Sequence, residues 1–195
     1  MKKLILIGGG GHAKACIDVI EQEGSYAIVG ILDKKEMLGQ KVLGYEVIGC
    51  DDDISEYVAL GWSFLITVGH IKSAEIRKKL YASLKKHNAK IATIISPRAY
   101  VSKHASVAQG TIVMHDALIN AGARVGENCI VNTKALIEHD VVIEDFSHVS
   151  TAAVLNGGVV LKEGTFFGSN AVSKEYMQSA DGDFIKAGSV FKGKK

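Results

Sequence analysis

One histidine stands between two acids in Glu138-His139-Asp140. An imidazole with an ordinary pKa of about 6.5 suits a general base near neutral pH, and a carboxylate beside it fixes which ring nitrogen keeps the proton. His148, in Phe146-Ser147-His148-Val149-Ser150, is open to the same reading, and spacing alone fits both as exposed histidines. His87, His104 and His115 are expected at the surface. A second set of chemistry-bearing residues is Gly8-Gly9-Gly10-Gly11-His12-Ala13, which fits G-x-G-x-x-[GA], with Asp33 roughly 20 residues beyond it. Glycines let backbone N–H groups approach a phosphate, and a helix N-terminus favours its charge. Four glycines in a row also make an ordinary tight turn. No spacing of Cys16, Cys50 and Cys129 suggests a metal cage, so no metal is expected and a reducing compartment, the cytoplasm, is.

Composition narrows the classes. The 195 residues are 47% apolar and 23% charged with a net charge of +2, a globular balance with no field for nucleic acid or a membrane surface. Met1-Lys2-Lys3 precedes only four apolar residues, Leu4 to Ile7, too few for an export signal or a span.

The elements that must position these residues fall into two grammars. Up to about Ile95, short apolar runs alternate with helical stretches: a strand at Leu4 to Ile7, a helix at His12 to Glu23 and a strand at Ala27 to Leu32. A helix at Ile54 to Leu60, a strand at Phe64 to Val68, a helix at Ser73 to His87 and a strand at Ile91 to Ile95 complete an α/β unit. It spans about one mononucleotide-binding half and a little more, which disfavours a full dinucleotide cofactor. Ser96-Pro97 contains the one proline and marks a boundary, giving domains 1–96 and 97–195.

Beyond the proline the sequence repeats at six. Val101, Val107, Val113, Ile119, Val125, Val131, Ile137, Ile143, Val149, Leu155, Leu161 and Phe167 fall in one register, each followed four positions later by a small or β-branched residue. At 47% apolar content, twelve such hits have odds of roughly one in ten thousand, so the repeat is real. Six is even, so the whole row faces one side of an extended chain, the pattern of a hexapeptide parallel β-helix. Ser173 and Ser179 break the apolar row before Ile185 and Phe191 restore it, which predicts a looser turn and a last partial coil. The chain resembles hexapeptide proteins that wind left-handed with about 18 residues per coil. On that resemblance Gly157 lies above His139 at about 4.8 Å, where its N–H could meet a developing oxyanion.

Gly8 to Lys14, Gly69, Glu75-Ile76-Arg77-Lys78-Lys79, Asn132-Thr133, and Ile137 to Asp140 through Phe146 to Ser150 together carry a wider resemblance, running from Lys3 to about Val172. The chain resembles the hexapeptide-repeat nucleotide-sugar acetyltransferases, the NeuD/PglD-like family of sialic acid O-acetyltransferases and UDP-4-amino-sugar N-acetyltransferases. The resemblance implies a Rossmann-like N-terminal domain that holds the nucleotide sugar and a left-handed β-helix that binds acetyl-CoA between subunits of a homotrimer. Acetyl-CoA would be a co-substrate, with no permanently bound cofactor. Position by position, it implies His139 as base and Asp140 as the acid that orients it. Gly8, Gly10, Gly11, His12, Asp33, Gly69 and Asn132 are implied on the sugar side, and His148, Gly157, Phe167, Gly168 and Lys186 on the acetyl-CoA side. Where relatives end in a V-G-x-P-A-K-like segment, this chain has Ile185 to Gly193, so the adenine contacts do not carry over; Lys186, Lys192, Lys194 and Lys195 remain for the phosphates. The expected activity is N-acetylation of the 4-amino group of a UDP-4-amino-4,6-dideoxy sugar. The alternatives are O-acetylation of sialic acid or its CMP form and, in another class, a non-catalytic trimeric scaffold.

Overall fold

The computed structural model describes residues 1–193, which divide into two compact units, residues 1–69 with 75–94 and residues 70–74 with 95–193.

The first unit runs β1 (Lys2–Ile7), α1 (Gly11–Glu23), β2 (Tyr26–Leu32), β3 (Lys41–Val42), β4 (Tyr45–Gly49), α2 (Ile54–Ala59), β5 (Ser63–Ile66), α3 (Glu75–Lys86) and β6 (Lys90–Ile91). Sheet order is β3-β4-β2-β1-β5-β6, parallel throughout except for the β3–β4 hairpin. Leu4, Ile5, Leu6 and Ile7 are fully buried because β1 is central and covered on both faces, which is why this strand reads as an unbroken apolar run. α1 presents Ala13, Cys16, Ile17, Val19 and Ile20 to the core and stops at Gly24, whose left-handed φ of 77° lets its N–H return to the Ile20 carbonyl. The chain reverses between β1 and β5, where a doubly wound sheet opens a crevice at its carboxyl edge. Ile91 to Ile95 is not one strand: Lys90–Ile91 closes this sheet, whereas Ile94–Ile95 is the first rung of the next.

The second unit is a left-handed parallel β-helix of two-residue strands forming sheets of six, six and four. Paired residues are offset by 18, as in Ile112 with Ile130 and Ile130 with His148. Each coil has three faces, named here by the strands Ile130–Val131, Leu136–Ile137 and Val142–Ile143. The second residue of each of these strands points inward, and Val113 through Phe167 in that register are at most 3% exposed. Backbone conformation carries the same period. Positive φ recurs every six residues from Gly110 to Gly188, at Asp116, Asn128, Lys134, Asp140, Phe146, Ala152, Asn170 and Tyr176 as well as at glycines. The expected loosening at Ser173 and Ser179 is confined to one face, where the strand is reduced to a single bridge between Val160 and Gln178. Both hydroxyls stay buried in the inward row and accept from the N–H groups of Asn156 and Lys162, so the register survives two polar residues.

Candidate active site

The glycine loop lies at the carboxyl ends of β1 and β5, on the crevice. Gly8 has φ of +102°, and a Cβ there would stand 2.5 Å from Val68 Cγ2, so the fold itself demands glycine. Gly9 donates to Asp33 Oδ2 at 2.5 Å, and a Cβ on it would crowd the same oxygen. The other Asp33 oxygen accepts from Lys34 N, so this carboxylate braces the loop. Gly10 and Gly11 differ, because neither has positive φ and neither would place a Cβ within 4 Å of anything. Gly10 is the N-cap of α1, with no side-chain cap and no acid in the first turn. The helix start is thus open on the Cβ side of Gly10 and Gly11, where a ligand can approach the backbone closely. Gly69 packs against the His12 side chain. Thr67 ties the end of β5 to Ile7 O and Gly8 O, and the buried Arg77 donates to Ile66 O and Val68 O, neither of which the sequence reading singled out for a site. Burial pushes the Cys16 thiol up to about 12, so it is a core residue and no nucleophile. Burial, then the neighbouring charges of Asp33 and Asp52, raise the Asp51 carboxyl.

In the β-helix, His139 and Asp140 occupy the corner between the Leu136 and Val142 faces. Asp140 takes the left-handed turn at φ 61° and swings its carboxylate back onto its neighbour, with Oδ2 2.9 Å from His139 Nδ1. In the tautomer that keeps the proton on Nδ1, Nε2 is left as an acceptor. The ring is clamped by what is missing around it. A Cβ on Gly157, one coil above, would lie 2.6 Å from His139 Cε1 and Nε2, and a Cβ on Gly122, one coil below, would collide with Asp140 Oδ1. The Gly157 N–H takes no acceptor among the described residues. Glu138 Oε2 accepts from Asn120 Nδ2 at 3.0 Å and from His139 N at 3.2 Å, fixing the backbone under the imidazole. With His139 and Asp140 side chains 54% and 72% exposed, a base, an orienting carboxylate and an unused donor meet at an open surface. That set can deprotonate a nucleophile and hold an oxyanion. Gly122 and Asn120 were missed, although the 18-residue offset that found Gly157 also reaches them from Asp140 and Glu138.

The remaining residues fall on another corner. Asn132 turns from the Ile130 face to the Leu136 face, and its Nδ2 lies 3.2 Å from Nε2 of the buried His148, whose Nδ1 is 2.7 Å from the His70 carbonyl. The His148 and His70 rings both meet Phe166 edge-on. Gly168 and Lys186 stack above Asn132 by the same 18-residue offset, with Gly168 so tight against Ala187 N and Ile185 O that no Cβ fits. Phe167 is corrected: it is the inward residue of its strand and fully buried in the core, whereas Phe166 faces out. His115 is also not at the surface; it is buried, with Nδ1 2.6 Å from Ser96 Oγ. Lys194 and Lys195 lie outside the described residues. Asn132 and Glu138, at the two ends of the Leu136 face, are six residues apart, at most about 20 Å of extended chain. Among the described residues no helix is long and apolar enough to cross a membrane.

Residues 3–84 match the PglD N-terminal domain family. UDP-N-acetylbacillosamine N-acetyltransferase of Bacillus subtilis (strain 168) is 36% identical over 117 residues, which cover 58% of this chain and 52% of that protein. A protein of Acanthamoeba polyphaga mimivirus is 34% identical over 108 residues, 55% of this chain and 20% of its own length. The chain thus spans about half or less of these curated relatives. The solved acetyltransferase domain of PglB from Neisseria gonorrhoeae FA1090 aligns with a TM-score of 0.91 at 29% identity, over 99% of this chain and 92% of that one. PerB from Caulobacter crescentus, in complex with CoA and GDP-perosamine, aligns with a TM-score of 0.89 at 28% identity, over 99% and 90%. The same Neisseria domain has been solved with acetyl coenzyme A and matches with a TM-score of 0.90.

Proposed function

We propose, for a chain whose residues 3–84 match the PglD N-terminal domain family, an acetyl-CoA-dependent N-acetyltransferase of a nucleotide-activated amino sugar. The observation that carries the reading is the His139–Asp140 pair set between Gly157 and Gly122. A solved relative at 28% identity over 99% of the chain, with CoA and a nucleotide amino sugar bound, supports it. Following the more identical curated relative, the acceptor is the 4-amino group of a UDP-4-amino-4,6-dideoxy sugar. The reaction would run in the cytoplasm.

His139 Nε2 takes a proton from the amine as the nitrogen lone pair adds to the thioester carbonyl, and the Gly157 N–H receives the oxyanion. The C–S bond then breaks, the imidazolium returns its proton to the CoA sulfur, and the amide and free thiol leave with no covalent enzyme intermediate. Asp140 holds the tautomer and steadies the imidazolium. Gly10, Gly11 and the start of α1 take the diphosphate of the sugar nucleotide.

The working assembly is a homotrimer. Tyr100, Leu118, Leu136, Val154, Val172 and Val190 stack in register on the outside of the Leu136 face, an apolar ladder with Tyr100, Val172 and Val190 exposed. Turning that face to a three-fold axis covers the ladder and brings the His139 corner of one copy to the Asn132 corner of the next. A site that draws on both corners is thereby completed.

The test is thiol release from acetyl-CoA with a panel of UDP- and GDP-linked amino sugars and CMP-sialic acid. An amino-sugar signal that falls roughly 100-fold in His139→Ala is expected. Transfer only to CMP-sialic acid would replace the acceptor by a hydroxyl, and no transfer to any of them would refute the reading.

A further inference from the structure

Above Gly157 the His139 corner continues. The 18-residue offset stacks Gly122, Asp140, Gly158 and Tyr176 in one column, all with left-handed φ. Tyrosine is the unexpected member, since bulky residues rarely adopt this conformation. Its ring lies flat on Gly158, where a Cβ would collide with Cδ1 and Cε1. Even so, Tyr176 is 74% exposed, and its hydroxyl makes no hydrogen bond among the described residues. Core packing therefore does not explain the residue. A bare glycine backbone supports one face of the ring, and the other face is open.

The position of the ring gives it a use. Gly157 and Gly158 form a side-chain-free floor, with Nε2 of His139 at its lower edge and Tyr176 at its upper edge, roughly 10 Å and two coils above the base. A donor whose thioester carbonyl sits at the Gly157 N–H can extend along this corner in two directions. Below lie the Glu138 and Asp140 carboxylates, which repel an anionic tail. Above, Lys174 and Lys192 stand in the column of Glu138, with Glu175 beside Lys174. The direction with the ring and the two ammonium groups is the one that suits a neutral arm ending in phosphates.

Resting on the acetyl-transfer reading above, we propose that Tyr176 is a donor-binding residue: its open face takes the uncharged, amide-containing arm that joins the thioester of CoA to its phosphates. It sets donor affinity and stands apart from the reacting atoms. Aromatic stacking is sequence-tolerant and needs no hydroxyl, so the ring is the functional part.

Calorimetry on the full chain with CoA, and separately with pantetheine, tests this. Tyr176→Ala should weaken both probes about tenfold, and Tyr176→Phe should stay within twofold of wild type. In steady-state kinetics the KM for acetyl-CoA should rise about tenfold in Tyr176→Ala, while the KM for the sugar stays where it is. Wild-type affinity in Tyr176→Ala overturns the inference and leaves acetyl transfer standing, whereas a wild-type chain that binds neither probe overturns both. Weakening for CoA alone overturns the arm assignment. A drop in assembly mass in Tyr176→Ala overturns it too, by making the ring a contact that holds copies together and not one that holds the donor.

Discussion

Gly157→Ala is the sharpest perturbation of the proposed centre, because it adds one methyl group aimed at the base and nothing else. The new Cβ would start 2.6 Å from His139 Cε1 and Nε2. An ordinary carbon contact needs about 3.4 Å or more, so the ring must retreat by roughly 0.8 Å. The His139–Asp140 hydrogen bond is 2.9 Å, and a retreat of that size either stretches it beyond hydrogen-bonding range or turns the ring. Displacements of about 1 Å at a reacting group cost on the order of 100-fold in rate. The fold should hardly notice. Gly157 is not among the positive-φ glycines, and the crowded ring is half exposed and free to move. Turnover should therefore drop on the order of 100-fold while the thermal midpoint moves by about 2 °C or less. Steady-state kinetics with acetyl-CoA and the accepted amino sugar, beside a calorimetric melt, measure both. Turnover within a factor of two of wild type would refute the placement of Nε2 at the reacting nitrogen. Equal losses in rate and stability would instead make Gly157 a packing glycine.

Three further outcomes are expected. Gly11→Ala replaces an unconstrained glycine at the start of α1, so it should stabilise the fold by up to about 1 kcal/mol while raising the KM for the nucleotide sugar and sparing that for acetyl-CoA; an unchanged sugar KM would show that the loop holds no phosphate. Leu136→Asp places a charge in the apolar ladder and should lower the sedimentation mass from three times 20.8 kDa towards one, with activity lost in parallel; an active monomer would remove the shared site. Asp51 holds its proton more tightly folded than unfolded, through burial and then the Asp33 and Asp52 charges, so its ionised form costs the fold stability above the raised pKa. Asp51→Asn should accordingly raise the melting midpoint at pH 7, with the gain fading as pH falls through the raised pKa and gone below the ordinary carboxylate value of about 4; a gain independent of pH would refute the electrostatic origin.

The β-helix was legible because one period of six governs burial, and a two-residue strand leaves no competing alignment. The register also fixes which residues cannot reach a ligand. Phe167 continues the row of Val149 and Leu155 and is core for the same reason they are, so reading it as a ligand contact set aside the rule that had located it. The β3–β4 hairpin was not legible. Its turn is Leu43-Gly44, with Leu43 at φ 48°, and neither strand alternates long enough to show a period. The seating of residues 70–74 on the second unit was hidden as well, since the His70 carbonyl meets His148 across 78 positions and leaves no local pattern.

Where fold and chemistry make separate demands, the Asp140 column keeps them apart. Every residue there must adopt left-handed φ, and glycine satisfies that at 122 and 158. Asparagine or aspartate tolerates the conformation better than most side chains, but the turn requires neither. Gly122 then has a second duty, because any Cβ on it would collide with Asp140 Oδ1. Placing an acid at 140 thus adds strain at one corner and constrains the next, and the fold gains little buried surface from a side chain that is 72% exposed. What the carboxylate gains is the hydrogen bond to His139 Nδ1, and that contact, made with little packing, is what the proposed pairing of base and acid rests on.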